Sequence, residues 1–376
     1  MKGVRLHCGF IGFALALTGP AVFAQQYVIT DLGTLGGTDS VAAGVNDNGQ
    51  VTGWYVPAGG SGNGAFLYSG GVMRDLGTLG GAYTAGTGIN NNGQVAGFST
   101  LSNGPEYGFL FTGGVMGNLG SLGGPGSSAN AINNNGQLAG WAYVAGGTQH
   151  AFFYSGGVMH DLGTLGGNYS SASSLNSFGQ VAGESFTSSG DRHAFLYSGG
   201  VTSDLGTLGG SISTAMGLND AGQVVGGAYL AGDAVEHAFL YRGGTMLDLG
   251  TLGGTVSVAR CINNNGMIVG ESYTVVGPTG EHAFLYSGGV MRDLNALVPS
   301  NSGWTLQEAS AISNTGLIVG DGLNPNGQAD AFLLTPVPEP AGVALMAIGG
   351  VLVLGRWRRW REPGQNTRSG KSEASL

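Results

Sequence analysis

The chain has 376 residues, enough for one large domain or two ordinary ones. Glycine supplies 76 of them without the every-third-residue period of collagen, and 42% hydrophobic residues argue against general disorder. Net charge is −9, but between Tyr27 and Pro336 stand five Arg, no Lys and 19 Asp plus Glu. Such an acidic body repels phosphate backbones, which speaks against nucleic acid as a partner.

Taken in chain order, the first segment is an address. Lys2 and Arg5 precede an apolar run from Phe10 to Leu17, and Val22 and Ala24 suit the −3 and −1 positions of a signal-peptidase site. Residues 1–24 therefore read as a signal peptide for Sec-type export, because the apolar run is too short for a membrane span. Cys8 leaves with that segment, so Cys261 alone remains and no intramolecular disulfide can form. Cys261 reads as a small packed side chain.

Residues 25–336 are an internal repeat. DLGTLGG or a near copy begins at Asp31, Asp75, Asn118, Asp161, Asp204 and Asp248, with a degenerate copy at Asp293. INNNGQVAG-like segments follow, with a first Asn at Asn46, Asn90, Asn133, Asn176, Asn219 and Asn263, and Ser313 in the seventh copy. HAFLYSGG-like segments centre on Phe66, Phe109, Phe152, Phe195, Phe239, Phe284 and Phe332. These runs are short, rich in β-branched, aromatic and small residues, and bounded by Asn-Gly and Gly-Gly turns, so each unit predicts four strands, a to d. Helices are not expected before residue 336.

A unit of 43 to 45 residues with four strands predicts an all-β, seven-bladed β-propeller. The phase of the ends supports it. Tyr27 to Leu32 is a d strand without its own a, b and c, while the last unit has a, b and c but no d. The N-terminal strand would then close the ring; the alternative is an open β-solenoid-like repeat array. The unit resembles the HAF repeat of bacterial extracellular proteins, a resemblance that implies location and repetition but no established activity.

The end of the chain carries a second address. Pro338, Glu339 and Pro340 precede an apolar run, residues 341–355, and then RWRRWR, Arg356 to Arg361. The run is at the short edge of what spans a bilayer, and the Arg cluster fits the cytoplasmic side. Residues 337–361 closely resemble the PEP-CTERM sorting signal of Gram-negative bacteria. That resemblance implies processing by an exosortase, transient anchoring in the inner membrane and delivery to the cell envelope or outside it. Residues 362–376 form a polar tail, a departure from signals that stop soon after the basic cluster.

Catalytic signatures are absent: there is no H-E-x-x-H and no G-x-S-x-G. Four histidines, His150, His193, His237 and His282, share one place in strand c; equivalent places on a seven-fold ring lie too far apart for one ion, so they read as packed or hydrogen-bonded residues. The Asn turns carry amides where calcium prefers carboxylates, and read as hairpins whose side chains bond nearby backbone. The Asp of DLG alternates with Asn118, which suits an Asx-type turn better than acid/base work. No cofactor is expected, with calcium weakly supported.

Length variation concentrates in the b–c connections, which share one face with the d–a links. That face should collect Trp54, Tyr55, Trp141, Tyr143, Tyr229 and Tyr273 beside Glu184, Asp191, Glu236, Glu271 and Glu281. Aromatic platforms beside carboxylates suit sugar rings and hydroxyls. The leading expectation is a non-enzymatic exported protein that binds or organises extracellular polysaccharide or another envelope partner. The alternative is a carbohydrate-active propeller enzyme, a glycosidase or lyase, with carboxylates on that face.

Overall fold

A computed structural model of the protein describes residues 26–102, 104–274 and 280–338. The signal peptide with Val22 and Ala24, the Glu339 and Pro340 of the sorting motif, the apolar run 341–355 and the polar tail lie outside the described residues. The chain divides into two units, Met1–Pro336 and Val337–Leu376; of the second only Val337 and Pro338 are described, both exposed and outside any strand.

The first unit is all-β, as expected: 28 strands and a single 3-10 turn, Leu294–Ala296, among the described residues. Each repeat is an antiparallel four-stranded meander. In the first, strand a is Asp39–Val45, b Val51–Val56, c Gly64–Ser69 and d Val72–Asp75. Strand a is longer in the next five repeats, where it begins within the glycine pair of TLGG, as in Gly123–Ile132. The c–d turns use Gly-Gly pairs at positive φ, such as Gly70 (59°) and Gly71 (83°), the conformation a tight hairpin requires. The last repeat takes its fourth strand from the start of the chain: Tyr27–Asp31 pairs antiparallel with Ala329–Pro336, Tyr27 opposite Pro336 and Asp31 opposite Phe332.

No repeat encloses a core of its own. The seven central phenylalanines are all fully buried, and every apolar cluster joins side chains of two consecutive repeats. Phe239 of repeat five, for example, packs with Ala182 and Ala194 of repeat four. A further cluster unites Val319, Ala331 and Leu333 of the last repeat with Ala42, Val51 and Phe66 of the first. Burying such side chains supplies roughly 1.5–3 kcal/mol each. The glycine that ends VAG is required by the same packing: a Cβ on Gly53 would collide with the Val41 carbonyl of strand a and crowd the Phe66 ring.

The Asn turns do more than close hairpins. Asn46 Oδ1 accepts from the N–H groups of Asn48 and Gln50, while Nδ2 donates to Gln50 Oε1 and to the Asn90 carbonyl of the next repeat, 2.9 Å away. Asn90, Asn133, Asn176, Asn219 and Asn263 each donate likewise to the following repeat, at 2.9–3.2 Å. These six side chains are buried. A second set of bonds runs beside them, and in it the Asn314 N–H of the last repeat donates to Asp47 Oδ1 of the first, 2.8 Å. Asn133→Ala should therefore destabilise the fold by about 1–3 kcal/mol for each buried group left unpaired. Urea unfolding checks this, and an unchanged midpoint would contradict a structural role for the Asn ladder.

Candidate functional site

One position in strand b changes its chemical character from repeat to repeat. It follows the VAG glycine and is occupied, from the first repeat to the seventh, by Trp54, Phe98, Trp141, Glu184, Gly227, Glu271 and Asp321. Opposite it on strand a stand Val41, Ala85, Ser128, Ser171, Thr214, Val258 and Glu308. Repeats one to three are thus aromatic there, and repeats four, six and seven carry carboxylates. In repeat five the glycine leaves room that the Glu236 carboxylate enters.

The carboxylates are held across repeats. Glu184 Oε1 accepts from the Tyr169 hydroxyl, and Oε2 accepts from Thr214 Oγ1 of the next repeat, both at 2.9 Å; Arg192 lies 3.3 Å away. Arg260 donates through Nε to Glu271 Oε2 at 2.9 Å and sits 3.3 Å from Glu308 of repeat seven. Glu271 is 5% exposed. Burial, only partly opposed by Arg260 and reinforced by Glu308 and Glu281, pushes its carboxyl up to about 7. Burial together with Glu308 and Glu281 pushes Asp321 to about 7 as well. Burial also raises Glu236, against the nearby charges of Arg192 and Arg260.

The expected residues divide accordingly. Trp54, Trp141, Glu184 and Glu271 share the strand-b position. Trp141 meets Tyr143 edge-on, ring centroids 5.5 Å apart. Tyr229 is half-buried and Tyr273 is 37% exposed, each near the end of its strand b. Tyr55 is 8% exposed, and its ring fills the space beside Gly64, where four other repeats place a histidine. Burial and the nearby Asp75 carboxylate push its hydroxyl up.

Sequence reasoning missed Arg260, Glu308 and Asp321. Arg260 stands at the residue of strand a where every repeat shifts register; its counterparts are Ala43, Thr87, Asn130, Ser173, Met216 and Ser310. Aligning the seven copies column by column would have exposed it as the single charge in that column. That column, Arg260 included, and the Asn turns of all seven repeats line one cavity of about 300 Å³. Among the described residues, no group of three or more His, Cys, Asp or Glu is placed to hold a metal ion.

Two sequence readings of single residues are met. The DLG carboxylates accept from the N–H two residues on, as Asp161 Oδ1 does from Gly163 at 2.8 Å, and Asn118 does the same for Gly120 at 2.8 Å. The strand-c histidines each bond the DLG Asp eleven residues later, at 2.7–2.9 Å.

The carboxyl groups of Glu271 and Asp321 hold protons more tightly in the fold than in the unfolded chain. The native state therefore binds more protons between about pH 4.5 and about 7, and stability should fall as pH rises through that window. Thermal melts across it check the sign, and Glu271→Gln should flatten the slope.

No family model matches the chain, and no curated protein matches it. Solved structures that match include TolB from Acinetobacter baumannii, 13% identical over 81% of this chain and 65% of that one, TM-score 0.43. AofleA from Arthrobotrys oligospora is 10% identical over 71% of this chain and 88% of its own, TM-score 0.41. The Aleuria aurantia lectin, described as a six-bladed β-propeller with a novel fucose recognition mode, is 13% identical over 84% and 98%, TM-score 0.32. This chain spans just under two thirds of TolB. Its own strand pairing and burial, rather than these likenesses, carry the description of a propeller-like all-β repeat fold.

Proposed function

We propose that the seven meanders close into a seven-bladed β-propeller whose last blade is completed by Tyr27–Asp31, and that this exported scaffold binds extracellular polysaccharide or another envelope component without catalysing a reaction. Support for closure comes from the pairing of the first strand with the last, from the Asn314–Asp47 bond and from the cluster shared by repeats seven and one. Deleting Tyr27–Asp31 should expose a strand edge, weaken cooperative unfolding and promote aggregation. An unchanged melting curve would favour an open array.

The observation that carries the binding reading is the division of the strand-b position into an aromatic half, Trp54, Phe98 and Trp141, and an acidic half, Glu184, Glu271 and Asp321. Apolar ring faces stack on sugars, and carboxylates accept from their hydroxyls. Trp54→Ala and Trp141→Ala should weaken retention in gels containing acidic or neutral polysaccharides while leaving the melting temperature within a few degrees. Loss of stability and binding together would reject the site.

The carbohydrate-active enzyme is the second reading: the strand-b position sets the carboxylates of Glu271 and Asp321 in neighbouring repeats, and burial pushes both up to about 7. Release of new reducing ends from polysaccharide, abolished by Glu271→Gln, would decide for it.

The route to the surface is proposed on the terminal resemblances. Replacing Pro338, Glu339 and Pro340 by alanine should leave export intact, keep the C-terminal segment attached and hold the protein in the inner membrane. Identical mass and fractionation of mutant and wild type would remove exosortase and the PEP-CTERM assignment together.

A further inference from the structure

Four of the seven a–b turns carry the dipeptide Asn-Gly: Asn48-Gly49, Asn92-Gly93, Asn135-Gly136 and Asn265-Gly266. The other three repeats place Phe178, Ala221 and Thr315 before the glycine. Asn-Gly is the dipeptide most prone to lose its side-chain amide in water, because glycine puts no side chain in the way of its own nitrogen. That backbone nitrogen gives up its proton and bonds to Cγ of the asparagine, the Cγ–Nδ2 bond breaks, and ammonia leaves. Water then opens the resulting succinimide to aspartate or isoaspartate.

All four asparagines are exposed at the turn tips, so water reaches them, yet both reacting groups are tied down. Each Nδ2 donates to a carbonyl of the next repeat, those of Asn91, Asn134, Ser177 and Asn314, at 2.9–3.1 Å. Each glycine N–H donates to the carbonyl of the first turn asparagine at 3.0–3.1 Å, with the glycine φ at 73–75°. Ring closure needs Cγ turned onto that nitrogen and the nitrogen freed of its proton, and each step gives up one of these bonds. A fifth dipeptide, Asn326-Gly327 in the last b–c turn, separates the two restraints. It is exposed, and its glycine N–H donates to the Asn324 carbonyl at 2.9 Å with φ at 78°. Its side-chain amide, however, makes no hydrogen bond to another repeat among the described residues.

We propose that Asn48, Asn92, Asn135 and Asn265 are modification sites gated by the fold. Held between repeats they persist as asparagine, and when a turn opens each cyclises with its glycine and hydrolyses. Aspartate and isoaspartate carry no amide, so they cannot donate to the carbonyl ahead, and isoaspartate also lengthens the backbone by a carbon. A turn modified while open recloses without its inter-repeat bond and with a carboxylate against a carbonyl, which weakens the array permanently. Local opening, reversible in itself, is thereby recorded in covalent form. The inference rests on the turn hydrogen bonds and is independent of ring closure and of the polysaccharide reading.

The test uses the full purified chain, incubated in mildly alkaline buffer with or without guanidinium chloride and followed by peptide mass mapping. In the folded chain Asn326 should convert, while Asn48, Asn92, Asn135 and Asn265 should convert at least about tenfold more slowly. In guanidinium chloride all five should convert. Equal conversion of the five in the folded chain, or conversion of the ladder sites ahead of Asn326, overturns the gating. If Asn326 resists as well, the turn alone protects, and the role of the inter-repeat bond is overturned. Asn135→Asp should lower the urea midpoint, whereas Asn326→Asp should leave it in place. Should Asn135→Asp not fold, wild type refolded after modification in guanidinium chloride gives the same readout. A modified chain as stable as the unmodified one overturns the lasting weakening.

Discussion

A four-stranded sheet has two faces, and a repeat of some 44 residues has nothing of its own to cover either. Everything else in the structure depends on that need for a neighbour. The fully buried phenylalanine of each repeat reaches small residues of the adjacent one, so Ala182 and Ala194 are small because Phe239 must fit against them. The VAG position has no room for a side chain for a related reason: strand a and the phenylalanine ring already occupy the space. Stability in such an array lies in the interfaces between repeats more than in any repeat alone.

Polar groups follow the same logic at the a–b turns. A hairpin turn can satisfy its own backbone with a local side-chain bond, and Asn46 Oδ1 does so twice. Its amide is then free to serve the next repeat, and six buried asparagines in sequence turn a local turn into a ladder. Asparagine is suited to this because one short side chain carries an acceptor and two donors. Ser313, in the last repeat, keeps the local acceptor role through its hydroxyl but has no amide to pass on. There the link to the first repeat is made instead by the Asn314 N–H and Asp47.

With interfaces enforcing near-identity, chemical variety is confined to the few columns that packing leaves unconstrained. The strand-b position after VAG is such a column, and it holds tryptophan, phenylalanine, glutamate, glycine and aspartate without disturbing the meander. Arg260 shows how one charge can organise several such columns, since it reaches Glu271 in its own repeat and Glu308 in the next. Burial, reinforced by the negative charges of Glu308 and Glu281 and only partly opposed by Arg260, pushes the carboxyls of Glu271 and Asp321 up to about 7.

Composition and spacing were enough to establish the all-β class, the four strands of each unit, their turns and the Asx role of the DLG aspartates. These are local properties, written in signatures spaced closely enough to pair with their own neighbours. Loop arithmetic also named Trp54, Trp141, Glu184 and Glu271, and the strand register puts all four at one equivalent place in strand b. That Tyr55 fills a histidine's space, that the Asn amides cross between repeats, and that Arg260 meets Glu308 some 48 residues on became visible only in three dimensions. Each of these depends on which side chain of the neighbouring repeat arrives at a given point, and contacts between repeats are settled by packing geometry rather than by any pattern within one copy.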